Sequence, residues 1–193
     1  MRGQCLLGSR DAGVQRNGCG MNGAVEKSSS AREELLDCIE KEHQAERNLC
    51  DMLERIADNL LGPFDTELAR TSIVTMRRCL KRHVELEEKY LYPVLTKRLC
   101  PGDLAENLLE HIRGEHTADE SLAYDTADQL EQALSRGRVE NPEMLGYMLR
   151  GFFECRRRHI AWEDAIVIPL ASYRLSEKDF RAFSLEEFEK SIA

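Results

Sequence analysis

Apolar side chains recur three and four residues apart along four long stretches of the chain, the spacing of one face of an amphipathic helix. The first stripe runs through Leu36, Ile39, His43, Glu46, Cys50, Leu53, Ala57 and Leu60, and Gly62-Pro63 ends it. A second helix is predicted from about Asp65 to Leu99, with Met76, Leu80, His83, Glu87, Leu91 and Val94 on one face. Pro101-Gly102 breaks the chain before a third, from about Asp103 to Ser135, which carries Leu109, Ile112, His116, Asp119, Ala123 and Leu130 inward. Gly137 and Asn141-Pro142 separate it from the fourth, about Pro142 to Tyr173, and Pro142 suits a first helical position. Ser176, followed by acid at Glu177 and Asp179, is placed to cap a short fifth helix. Short connections between long helices predict an all-α fold: an up-down-up-down antiparallel four-helix bundle over residues 31–175, with residues 176–193 as a C-terminal helix on or beyond it.

Composition sharpens this in three ways. Six of the 12 glycines fall within residues 1–23, without apolar periodicity, so residues 1–30 read as a disordered leader. The formal charge is −8 with a pI near 5.3, the wrong sign for nucleic acid or an anionic membrane surface. The 7 cysteines contain no C-x-x-C and there is no apolar signal segment, so a reducing cytosol is the expected compartment.

The informative residues are the polar ones on the apolar stripes. Each stripe contains a histidine, and the second and fourth also contain a glutamate four residues later: His83 with Glu87 and His159 with Glu163. Counting from the turns puts them on one level. His43 lies 19 residues before Gly62 and His83 lies 19 after Phe64, each about 28 Å from the shared connection. His116 agrees with both neighbours to about one helical turn. The chain also repeats itself: His83 is followed by Glu87, Glu88 and Pro93, and His159 by Glu163, Asp164 and Pro169, while Glu42-His43 matches Glu115-His116. It reads as two related helical hairpins packed together.

Residues four apart lie one above the other on a helix. Two His-Glu pairs facing two further histidines offer four imidazoles and two carboxylates. With both carboxylates bridging, each of two metal ions receives two nitrogens and two oxygens; a shared oxo or hydroxo group makes five, and a sixth position stays open. Imidazole with carboxylate suits iron, zinc, copper or manganese. A buried salt-bridge cluster, the competing arrangement, requires Arg or Lys on the same layer, and the stripes contain none. Arg156-Arg157-Arg158 is expected on a solvated face.

With His43, His83-x-x-x-Glu87, His116 and His159-x-x-x-Glu163 in this order, residues 31–175 resemble the hemerythrin-like, or HHE cation-binding, family. The resemblance implies two iron ions in an oxo- or hydroxo-bridged centre, with the four histidines as terminal ligands and Glu87 and Glu163 as bridges. Oxygen-carrying hemerythrins have a second histidine where this chain has Glu120, and the expected role moves from transport to binding oxygen, nitric oxide or peroxide for sensing, storage or stress defence. Iron-sulfur cluster repair or di-iron redox catalysis is the enzymatic alternative, and a metal-stabilised regulatory module the third. The chain has no phosphate loop and no nucleophile-base-acid triad.

Around this set, Glu46, Asp119, Glu120 and Asp164 are expected to support the histidines or supply an extra ligand. Cys79 and Cys155, each four before a site histidine, are candidate redox thiols, with small core residues as the alternative. His111 is read as a surface residue, and Tyr90, Tyr92 and Trp162 as packing.

Overall fold

A computed structural model of the protein describes residues 30–103 and 105–192, so the expected leader, with Cys5 and Cys19, lies outside the described residues except for Ser30. Among the described residues all regular structure is helical. Helix α1 (Ala31–Asp58) opens with reciprocal capping: the Glu33 amide donates to Ser30 Oγ and the Ser30 amide to the Glu33 carboxylate. Asp65 caps α2 (Thr66–Glu85), accepting from the Leu68 amide at 2.9 Å. Helix α4 (Ala105–Arg136) stops at Gly137, whose φ of 66° is the left-handed conformation that glycine adopts without strain. Pro142 is the first residue of α5 (Pro142–Trp162), which Asn141 caps.

The second and fourth helices are not the uninterrupted α-helices that the periodicity predicts. After α2 the chain widens into a π segment, Leu86–Leu91, before α3 (Tyr92–Thr96); after α5 it does so again at Glu163–Val167 before α6 (Ile168–Arg174). The cause lies in Pro93 and Pro169, each the second residue of the α-helix that resumes. A proline ring collides with the carbonyl four residues back and has no N–H to give it. One extra residue in the preceding turn makes room for it. Both widened turns contain the glutamate of a His-Glu pair.

The C-terminal expectation also changes. Ser176 and Asp179 bond each other around a single 3-10 turn, Glu177–Phe180, and the helix proper is α7 (Leu185–Ile192). Its Phe188 and the preceding Phe183 pack edge-on against Tyr90.

Helix α1 packs against α2 and α5, and α4 against the same two, so the four long elements close a ring. Their buried faces form two apolar clusters. One holds Leu49, Leu53, Met76, Leu130, Leu149 and Phe152; the other holds Leu35, Leu86, Leu91, Leu109, Val167 and Phe180. In each of the four elements the site histidine stands between its contributions to the two clusters.

Candidate metal centre

The layer between the clusters is polar and buried. His43, His83, Glu87, His116, His159 and Glu163 are all buried, the two glutamates completely. His83, Glu87, His116, His159 and Glu163 each offer a ligand atom within 4.8 Å of the others. His43 joins them through Glu163, its Nε2 standing 3.2 Å from Oε2. Glu163 also reaches His159 at 3.2 Å and His83 at 3.5 Å, while Glu87 reaches His83 at 3.2 Å and His116 at 3.4 Å. The His-Glu pairing read from four-residue spacing therefore persists through the π segments.

All four imidazoles turn Nε2 toward this centre, and each turns Nδ1 toward a carboxylate outside it. His43 Nδ1 lies 2.7 Å from Asp164, His116 Nδ1 3.1 Å from Glu88, and His159 Nδ1 3.1 Å from Glu115. His83 Nδ1 faces Glu46 at 3.6 Å, beyond hydrogen-bond length. An imidazole held this way on its outer nitrogen has a fixed orientation and a more basic inner nitrogen.

Two of these four carboxylates, Asp164 at His43 and Glu46 at His83, are among those that the sequence singles out. Asp119 sits on a different partner: it and Glu46 both bind Arg156, a guanidinium 1% exposed that donates to Asp119 Oδ2 at 3.1 Å and to Glu46 through Nε and Nη2. Arg156 is thus not on a solvated face, and the polar layer does contain a buried cation. Glu120 is exposed, on the wall of a cavity that also touches His116. The spacing of the stripes does not single out Glu88 and Glu115; the signal for them is that Glu88 is the repeat counterpart of Asp164 and Glu115 adjoins His116. Tyr92 is more than packing: its hydroxyl lies 2.6 Å from Glu87 and 2.5 Å from Glu163. His111 is exposed, as expected.

Burial pulls the His83 imidazole down, but Glu46, Glu87 and Glu163 outweigh it and push it up to about 10. Burial pushes the Glu163 carboxyl up, yet His83, His159 and His43 hold it well below the usual carboxylate range. Burial likewise raises Glu46, and Arg156 with His83 brings it below its ordinary value. The buried carboxylates of this layer therefore favour cationic neighbours, the Arg156 guanidinium and the His83 imidazole among them. The same burial pushes the Cys79 thiol up to about 12, so it stays protonated and packs as core, whereas Cys155 is half-buried.

The donor set fits a metal cation. His43 Nε2 and Glu163 Oε2 face each other at 3.2 Å at the centre, yet neither makes an aligned hydrogen bond, and Glu87 Oε1 is likewise buried without one. Buried polar atoms with no partner are costly unless something else meets them. A family model, the hemerythrin HHE cation binding domain, matches residues 34–171. The chain belongs to the hemerythrin HHE cation-binding family. No curated protein and no solved structure matches it. Among the described residues, no helix of this hemerythrin-family chain is long and apolar enough to cross a membrane.

Proposed function

We propose that this hemerythrin-family protein holds two iron ions through His43, His83, Glu87, His116, His159 and Glu163, with the two glutamates between the metals. The reading includes an up-down-up-down bundle over residues 31–175. Along α1 and α4 the chain passes from the Leu35 cluster to the Leu49 cluster, and along α2 and α5 it passes back, which supports that topology. The observation that carries the metal assignment is the orientation of the imidazoles, with four inner nitrogens converging on two buried carboxylates and a carboxylate facing each outer nitrogen. Iron held by these residues would supply reversible electron transfer and bind oxygen, nitric oxide or peroxide. The surrounding residues fix the ligands: Asp164, Glu88 and Glu115 orient three rings, and Tyr92 ties the two glutamates together. The two apolar clusters keep water from either end. The role that follows is sensing, storage or defence against these small molecules.

Metal analysis of untagged protein, with absorption spectra before and after anaerobic reduction, tests this. The expected result is about two irons per chain and a near-ultraviolet band that bleaches on reduction. Glu87→Ala is expected to lower the iron content while the helical circular dichroism stays unchanged. Full iron retention in that variant would remove Glu87 from the ligand set, and zinc alone or no metal after ferrous loading would overturn the di-iron reading.

A further inference from the structure

Between α2 and α4 lies a cavity of about 560 Å³, walled by Leu80, Val84 and the stems of Lys81 and Lys89, with His116 and Arg156 at its inner end. A second cavity of about 270 Å³ shares Leu80, Lys81 and Glu120 with it and extends the space along the same two helices to Tyr124. A diatomic ligand needs only about the ~30 Å³ that a water molecule occupies in the liquid. The larger space instead falls in the ~300–1,000 Å³ range of sites for small organic molecules.

Most of the charges around it are matched, and the exceptions, Lys81 and Glu120, are one of each sign at its exposed wall. Lys89 faces Glu85 at 3.4 Å, Glu88 accepts from Arg113 at 2.9 Å, and Arg156 is bound by two carboxylates. An anionic ligand would add a third negative group beside one guanidinium. Arg156 nevertheless has donors left over: a guanidinium carries five N–H groups, and its hydrogen bonds to Glu46 and Asp119 engage three. The side chain is 1% exposed, so water in bulk does not meet the remaining two.

We propose that this cavity binds a neutral, largely apolar organic molecule whose carbonyl-type oxygen accepts from Arg156. The occupant sits against the His116 ring and so borders the candidate metal centre. The site itself does not depend on the metal reading, because its walls and its guanidinium are present without an ion.

The test is fluorescence titration of the full chain with 6-propionyl-2-dimethylaminonaphthalene, a neutral carbonyl-bearing naphthalene, in parallel with the anionic 8-anilinonaphthalene-1-sulfonate. Saturable one-site binding of the neutral probe, with the anionic one weaker, is expected. Val84→Trp fills the cavity and is expected to weaken the neutral probe by about tenfold or more, while Leu61→Ser, an exposed site 94% accessible in the loop after α1, leaves it unchanged. Methyl NMR of the unmodified protein gives a readout free of any folding defect: the Leu80 and Val84 signals move with the same midpoint and that of Leu61 does not. Equal or tighter binding of the anion, undiminished binding in Val84→Trp, or shifts at Leu61 in place of Leu80 and Val84 would overturn the proposal. Iron content, measured separately, reports on the metal reading alone.

Discussion

The two helical hairpins match where they face the candidate centre and differ where they support it. His43 and His116 correspond at an offset of 73 residues, and His83, Glu87 and Glu88 correspond to His159, Glu163 and Asp164 at an offset of 76. The outer shell keeps part of this symmetry: Glu88 of the second helix holds His116 of the third, as Asp164 of the fourth holds His43 of the first. Three positions break it. Arg156 stands where the first hairpin has Leu80, and Tyr92 stands where the second has Ile168. His159 bonds Glu115, just before His116 in sequence, whereas His83 faces Glu46, three residues after His43. Related ligand sets thus sit in unequal surroundings, with the guanidinium and the cavity both on the side of His116. The repeated arrangement keeps the donors and leaves their support free to diverge.

The largest effect is expected from Arg156→Met. It removes the one cation shared by Glu46 and Asp119 and leaves two buried carboxylates unmatched, an expected loss of about 3–5 kcal/mol in urea unfolding of the metal-free protein. Its counterpart Leu80→Ala sits beside the cavity and loses packing alone, about 2 kcal/mol by the low end of such truncations. Adding Glu46→Gln and Asp119→Asn to Arg156→Met is expected to restore part of the loss. Equal costs at the two positions would show that the cluster is not what distinguishes the hairpins.

This asymmetry marks the limit of what the sequence reveals. The histidines and glutamates are legible because a charged or ionisable residue on an apolar stripe needs a reason, and its counterpart repeats on another helix. Arg156 follows the same logic but was hidden within a run of three arginines, where Arg157 and Arg158 do reach outward to Glu54 and Glu115. At 3.6 residues per turn, Arg156 is three before His159 and faces the same way. Tyr92 was hidden for a different reason. In an ideal α-helix it lies five after Glu87, well around the axis, and only the wider π turn brings its hydroxyl back over the glutamate. The fold was largely legible in the spacing, with the exceptions of the π segments and the C-terminal turn, where proline and capping chemistry override periodicity.

Tyr92→Phe is expected to have the next largest effect. One phenol has one proton and donates to one carboxylate at a time, so the two short contacts at Glu87 and Glu163 share it. Its loss is expected to cost the metal-free protein about 1.5–3 kcal/mol, the range for a hydrogen bond to a charged group. The counterpart Ile168→Val removes one methylene from a partly buried side chain and is expected to cost about 0.5–1 kcal/mol. Urea midpoints of the two variants, measured after chelation, decide it; a smaller cost for Tyr92→Phe would leave Tyr92 as packing.

The smallest effect lies at the far ends of the same two helices, where Arg98 and Arg174 correspond at the same offset of 76 residues. Arg98 binds Asp179 at 2.7 Å and Arg174 binds Asp103 at 2.5 Å, so each arginine ties its helix to a neighbouring segment. The carboxylates are held down for different reasons. The Ser176 amide is the leading influence on Asp179, ahead of Arg98, and together they lower it to about 2; Arg174 leads at Asp103, ahead of the Cys100 amide. A carboxyl lowered in the folded chain stabilises it above its ordinary value of 3.8, and that contribution fades as the pH falls through about 2. Carboxyl NMR titration is therefore expected to separate the ties: Arg174→Ala returns Asp103 most of the way to its ordinary range, whereas Arg98→Ala leaves Asp179 still depressed by the Ser176 amide. Equal recovery at both aspartates would mean that the two ends, unlike the supports around the centre, have stayed equivalent.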